Sequence, residues 1–215
     1  MSFKNLSPQR YLYFTFPVVL ILVLLSVIFW DRPLASLGYD FFYTHTKGSV
    51  GKLGAILTMY SYCIMLLIFI LYFYLKLKKG SNHFLRCLSL LIYTFILGHF
   101  ADDTLKFVFA RTSPLIKGHL SFMMEKYHYS FGLFDHGGAS FPSGHMTLYM
   151  AFATAVLLYY PKVWPVILAF GATLFAMLLF LDLHYLSDLI AGAYLGTTIT
   201  LGIYYMRKHD PDYRR

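Results

Sequence analysis

The sequence predicts an all-α polytopic membrane protein, a six-transmembrane-helix bundle with a long outer loop between helices 3 and 4. Three observations carry that expectation. Of 215 residues, 58% are hydrophobic and only 13% are charged, whereas water-soluble domains hold about 25% charged residues. Apolar windows of about 20 residues, the length that crosses a hydrocarbon core, recur along the chain. Proline, glycine and charge collect between those windows.

The six windows lie at roughly 11–30, 53–75, 86–108, 145–161, 163–183 and 186–206. They fill more than half the chain and leave too little for a separate soluble domain. Residues 1–215 are therefore expected to form a single membrane-embedded domain. The first window should end at Trp30-Asp31-Arg32-Pro33. Residues 31–52 then make an outer connection, with Pro33, Gly38, Gly48 and Gly51 as breakers. Lys4 and Arg10 give the first window the basic flank of a signal peptide. Its apolar stretch exceeds the usual h-region of about 7–15 residues and no small-x-small site follows, so it reads as an anchor. Residues 75–84 form a short basic inner turn, and Pro161-Lys162 with Pro165 marks a tight hairpin. Cys63 and Cys87 fall inside windows and are expected as buried thiols. The 19 Tyr and 21 Phe read as interfacial belts and helix packing, in preference to a ligand box.

Residues 109–144 are the longest stretch outside the windows, and a connection of that length usually has a function. Pro114, Gly118, Gly132, Gly137 and Gly138 interrupt it, and the mixed polarity of Leu120–Tyr129 fits a short helix lying on the membrane surface.

A formal charge of +8 would suggest nucleic acid in a soluble protein, but its distribution here follows the membrane. Lys4, Arg10, Lys76, Lys78, Lys79, Arg86, Lys162, Arg207, Lys208, Arg214 and Arg215 all fall on one side. Arg32, Lys47, Lys52, Lys106, Arg111, Lys117 and Lys126 fall on the other. The positive-inside rule puts both termini in the cytoplasm, and the long loop outside. Short loops and the lack of an organelle signal point to a bacterial inner membrane.

Chemistry concentrates in three places. The run Gly137-Gly138-Ala139-Ser140-Phe141-Pro142-Ser143-Gly144-His145 precedes a long apolar helix. If Ser143 caps that helix, its first-turn N–H groups and its dipole suit an anion such as phosphate. The bland alternative, an ordinary Ser/Gly helix start, carries about even weight for this run alone. His184 and Asp188 are four apart and share a helix face, so the carboxylate can fix one ring nitrogen and leave the other free to attack. Asp182 and Ser187 compete for that orienting role. A histidine merely satisfied by a nearby acid is the simpler reading of this pair on its own. The third place is Asp102-Asp103-Thr104-Leu105-Lys106, followed by Arg111 and Pro114. Ionisable groups at membrane depth are costly and rarely idle. Lys106 and Arg111 can offer positive charge to a phosphate, or simply snorkel to the interface.

Together these places resemble the type 2 phosphatidic acid phosphatase superfamily, which includes bacterial lipid phosphatases and is related to vanadium haloperoxidases. Its pattern is a lysine, six residues and Arg-Pro; then Pro-Ser-Gly-His; then Ser-Arg, five residues, histidine, three residues and aspartate. Lys106 with Pro114, Pro142–His145, and His184 with Asp188 match these parts at the right spacing, over a core of about residues 95–195. The resemblance implies that His184 is the nucleophile, Asp188 its partner, and His145 the acid that protonates the leaving alkoxide. Lys106, Ser143 and Gly144 would hold the phosphate oxygens, with Arg111 reaching in as a substitute clamp. No cofactor and no metal is implied; the implied partner is a phosphorylated lipid, with no nucleic acid and no protein partner. Two departures stand out: Ser113 and the Met177-Leu178 pair occupy the positions of the family's two phosphate-clamping arginines.

The expected function is a membrane phosphatase acting on a lipid phosphate monoester or pyrophosphate through a phosphohistidine at the outer, periplasmic face. Phosphoryl transfer between lipids by the same site is a sister reading. A non-catalytic binder of anionic headgroups is favoured by the missing arginines. A transporter would use His99, Asp102 and Asp103 as a relay, but no repeat symmetry accompanies them. A metal site from Asp135, His136, His145 and His184 lacks tight ligand spacing.

Overall fold

The computed structural model describes residues 8–40, 50–78, 83–116, 119–123, 131, 134 and 139–208. Among them helix dominates, as expected. Helix α1 (Pro8–Leu25) runs through a π-helical turn (Ser26–Trp30) directly into α2 (Asp31–Gly38). The stop expected at Trp30–Pro33 is therefore absent. The reason is local: the Asp31 N–H bonds back to the Ser26 carbonyl, five residues away. A ladder widened in this way tolerates a residue without an N–H two positions later.

Helices α3 (Val50–Leu77) and α4 (His83–Phe109) follow, so Gly51 lies inside a helix and breaks nothing. A two-stranded antiparallel ribbon comes next, β1 (Leu115–Ile116) on β2 (His119–Leu120), pairing Leu115 with Leu120 and Ile116 with His119. The surface helix expected over Leu120–Tyr129 is not found at its described end. Leu120 is in β2, Ser121–Met123 form a 3-10 turn, and 124–130 lie outside the described residues. Helix α5 (Gly144–Tyr159), the Pro161–Val163 hairpin turn, α6 (Trp164–Phe180) and α7 (Leu186–Lys208) complete the chain. The fifth window was expected to reach residue 183, but α6 stops at Phe180 and Asp182 turns the backbone with φ +53°.

Among the described residues four helical stretches are long and apolar enough to cross a bilayer: Arg10–Gly38, His83–Phe109, Pro161–Phe180 and Leu186–Lys208. Among the described residues Tyr62–Leu77, within α3, and Gly144–Tyr159 are shorter apolar stretches, where six spans were expected. The 16 residues of α5 rise about 24 Å, less than a hydrocarbon core of roughly 30 Å. The outward faces carry Tyr13, Phe16 and Ile28 on the first stretch, and Val166, Leu168 and Phe170 on α6, all exposed. Surfaces of that kind belong against lipid. Cys63 sits on such a face, whereas Cys87 is buried, so only one of the two thiols is where it was expected.

Helix α5 packs most extensively on α7. The contact is backbone to backbone, because a Cβ on Gly192 would fall 2.5 Å from the Ser143 carbonyl oxygen and one on Gly196 2.1 Å from that of Thr147. Small residues four apart on one face are what lipid-embedded helices use to approach closely. Cys87, Leu88, Leu90, Leu91, Leu158 and Leu201 form an apolar core toward the far end of α4, α5 and α7. Met146, Leu178, Leu179 and Leu189 form a smaller one beneath the start of α5.

Candidate active site

Ser143 caps α5 with extended backbone (φ −74°, ψ 111°), and its Oγ accepts from the Met146 N–H at 3.4 Å. Its own N–H donates to the Asp188 carbonyl at 3.0 Å, which ties the cap to the first turn of α7. The helix start expected at Pro142–His145 is thus formed, and its Gly144 and His145 remain partly exposed while Ser143 is fully buried. Gly137 and Gly138 lie outside the described residues, as do Asp135 and His136 of the conceivable metal set.

His184 sits in the turn between α6 and α7, with its N–H on the Leu178 carbonyl at 3.1 Å. Its Nδ1 lies 3.1 Å from the Ser140 carbonyl oxygen and 3.7 Å from Asp188 Oδ2. A carbonyl oxygen can only accept, so the contact places a proton on Nδ1, and in the neutral ring Nε2 is the nitrogen with the lone pair. The His145 ring stands across from it, centroids 6.0 Å apart and planes at 67°. The two histidines expected to cooperate are therefore brought together.

Asp188 is completely buried. Its Oδ2 accepts from Ser140 Oγ at 2.5 Å and from the Tyr185 N–H at 3.0 Å; its Oδ1 accepts from Arg111 Nη1 at 2.6 Å. Between the rival orienters the geometry favours Asp188: Ser187 bonds elsewhere, and neither carboxylate oxygen of Asp182 meets a hydrogen-bond partner among the described residues.

Lys106 reaches the pocket from α4. Its ammonium is 2.7 Å from Asp102 Oδ2, and a Cβ on Gly144 would meet that same ammonium at 2.9 Å. Glycine at 144 lets the ammonium lie close over the N-terminus of α5, where helix dipole and ammonium charge reinforce each other. Asp102, His99 and Asp103 offer ligand atoms within 4.8 Å of one another. Asp102 Oδ2 is paired with Lys106 and His99 Nε2 lies 2.5 Å from the Tyr62 hydroxyl, while Asp102 Oδ1 meets no hydrogen-bond partner among the described residues.

Arg111 is fully enclosed. Its Nη1 donates to Asp188 Oδ1 and to Ser187 Oγ, its Nη2 donates to Asp31 Oδ2, each at 2.6 Å, and its guanidinium lies 4.2 Å from the Tyr185 ring centroid. The guanidinium is thus directed at Asp31, Asp188 and Ser187, behind the histidine pair. Leu178 is fully buried in the apolar cluster with Met146 and Leu189. Ser113 is partly exposed.

Two participants escaped the sequence reading. Ser140 stood in the quoted loop without a role. Asp31 was read only as the end of a window; an acid at membrane depth was its sole signal. The model of the PAP2 superfamily matches residues 82–211, more than half the chain. No curated protein matches the chain, and no solved structure does. The chain belongs to the PAP2 superfamily.

Proposed function

We propose that the protein is an integral membrane phosphatase that hydrolyses a lipid phosphate monoester or pyrophosphate at the outer, periplasmic face through a phosphohistidine on His184. Membership of a superfamily of phosphatases supports the reaction class. One observation carries the finer reading: the His184 ring stands 6.0 Å from that of His145 while Ser140 and Asp188 lie against its Nδ1, which leaves Nε2 as the atom for attack.

In the first step Nε2 forms a bond to phosphorus as the P–O bond to the lipid breaks, and His145 gives its proton to the departing alkoxide. The Gly144 N–H, Ser143 and Lys106 meet the negative charge that builds on the phosphoryl oxygens. Asp188 stabilises the cationic ring that results. In the second step a water attacks phosphorus, gives a proton to His145, and breaks the P–N bond. Orthophosphate leaves and both histidines return to their starting forms. No metal enters this scheme. An acceptor lipid hydroxyl in place of water would give phosphoryl transfer.

A binder of anionic headgroups is the second reading, favoured by the apolar burial of Leu178 where the family has arginine. Phosphate release from a panel of diacylglycerol phosphate, phosphatidylglycerol phosphate, a polyprenyl pyrophosphate and a lipid A phosphate separates the two. Release by the wild type that disappears in His184→Ala and His145→Ala supports the enzyme; no release from any of the four leaves the binder. Sealed right-side-out vesicles report the face: release without detergent supports an outward site.

A further inference from the structure

Arg111 lies between two carboxylates, and only one of them, Asp188, touches the histidine centre. The other, Asp31, begins α2 and is 1% exposed. Its Oδ2 accepts from Arg111 Nη2 at 2.6 Å and from the Ser187 hydroxyl at 2.5 Å, and its Oδ1 accepts from the Ser187 N–H at 3.0 Å. We propose that Asp31 is a positioning residue for this centre, acting through Arg111 and Ser187 on Asp188 and hence on His184. The inference rests on His184 as the nucleophile.

Two features take Asp31 beyond a buried ion pair that merely stabilises. The first is where its bonds go. All three end on Arg111 or Ser187, the partner of Asp188 and the residue before it. The Ser187 N–H is a first-turn donor of α7 with no acceptor inside its own helix. Asp31 supplies that acceptor, and so fixes the turn from which Asp188 projects. The second is charge. One guanidinium shared by two carboxylates leaves the cluster with one net negative charge. Without Asp31, Arg111 and Asp188 would cancel, and little field would support positive charge on the His184 ring. Asp31 also lies outside the matched span of 82–211, so the first helical stretch contributes to a site whose recognised motifs are all elsewhere.

The test is Asp31→Asn in the full chain, which keeps the size and an acceptor for the Ser187 N–H but removes the charge. The groups around the His184 ring are His145 from α5, Asp102 with its partner Lys106 from α4, Ser140 from the connecting segment, and Asp188 from α7 with its partner Arg111. All of these stay unchanged. We expect kcat to fall about 10–100-fold, as when an outer partner of a functional histidine is lost. KM should change less than about threefold, because the contact is absent from substrate binding. The acidic limb of the kcat/KM profile should move to lower pH, since a neutral ring persists further once a nearby negative charge is gone. Ring ¹⁵N resonances of His184, assigned by difference from His184→Ala, should show a matching shift in titration. Should Asp31→Asn fail to fold, Ser187→Ala removes the hydroxyl bridge between Asp31 and Arg111, one of the three bonds to Asp31, with every charge retained, and should lower kcat in the same direction. Unchanged kcat together with unchanged His184 ring signals, in whichever variant folds, overturns the inference. The ring signals need no turnover: a wild type inactive on every lipid sinks the phosphatase reading, while the ¹⁵N shift still decides this one.

Discussion

Asp182 and Asp188 lie six residues apart, one in the turn after α6 and one in the first turn of α7, and both are buried. Their surroundings are opposite. Asp188 receives Arg111, Ser140 and the Tyr185 N–H. Asp182 sits against Gly38, whose added Cβ would come within 2.9 Å of its Oδ1, and neither of its oxygens meets a hydrogen-bond partner among the described residues. Burial first, and then the charge of Asp40, push the Asp182 carboxyl up to about 8. Depth alone does not decide how a carboxylate behaves; the donors around it do.

The contrast can be broken from either side. The largest effect is expected from Asp188→Asn, which removes the acceptor that helps hold the His184 tautomer. Phosphate release should fall by about 10³–10⁴-fold with the fold intact, as for loss of the carboxylate in a Ser-His-Asp triad. A variant keeping more than a tenth of wild-type activity would remove Asp188 from the mechanism. Arg111→Met should make Asp188 resemble Asp182, leaving two buried acids without their cation. A loss of roughly 3–5 kcal/mol in unfolding free energy is expected, readable by denaturant titration in detergent.

Asp182→Asn works in the other direction. The native carboxyl is pushed up to about 8, against 3.8 for an ordinary aspartate, so the folded state binds the proton more tightly than the unfolded state. Stability should therefore fall as pH rises from about 4 to about 8 and level off above that range, on the order of a few kcal/mol in all. Asparagine abolishes this slope, tolerates the positive φ, and should raise Tm most at pH 8. Equal Tm-against-pH curves for the two proteins would exclude a native-state proton on Asp182. The smallest expected change is Ser140→Ala, which removes one donor of three from Asp188. A tenfold loss of kcat, about 1.4 kcal/mol, is its expected scale.

Much of this was legible in the sequence, for reasons that can be located. Helices α3 to α7 follow apolar windows because hydropathy is a local property. His145, His184, Asp188 and Lys106 were found because motif spacing survives folding. What escaped depends on contacts made far along the chain. Asp31 meets Ser187 across 156 positions, and no window centred on residue 31 contains its partner. The π turn escaped because Pro33 reads as a terminator wherever the preceding hydrogen-bond shift is invisible. The expected substitute clamp at Arg111 rested on its nearness to Ser113 in sequence, and nearness cannot say which way a guanidinium turns. The connection before α5 has neither a 3.6- nor a 2-residue period to read.

The glycine contacts at positions 192 and 196 have a consequence for how a bilayer acts on this protein. Two helices that touch main chain to main chain tilt as a block when the membrane thins or thickens. The spacing of the imidazoles they flank is then insulated from the host lipid, whereas the path of the proposed lipid substrate from the leaflet is not. Reconstitution into bilayers of graded acyl length should accordingly change KM while kcat stays level.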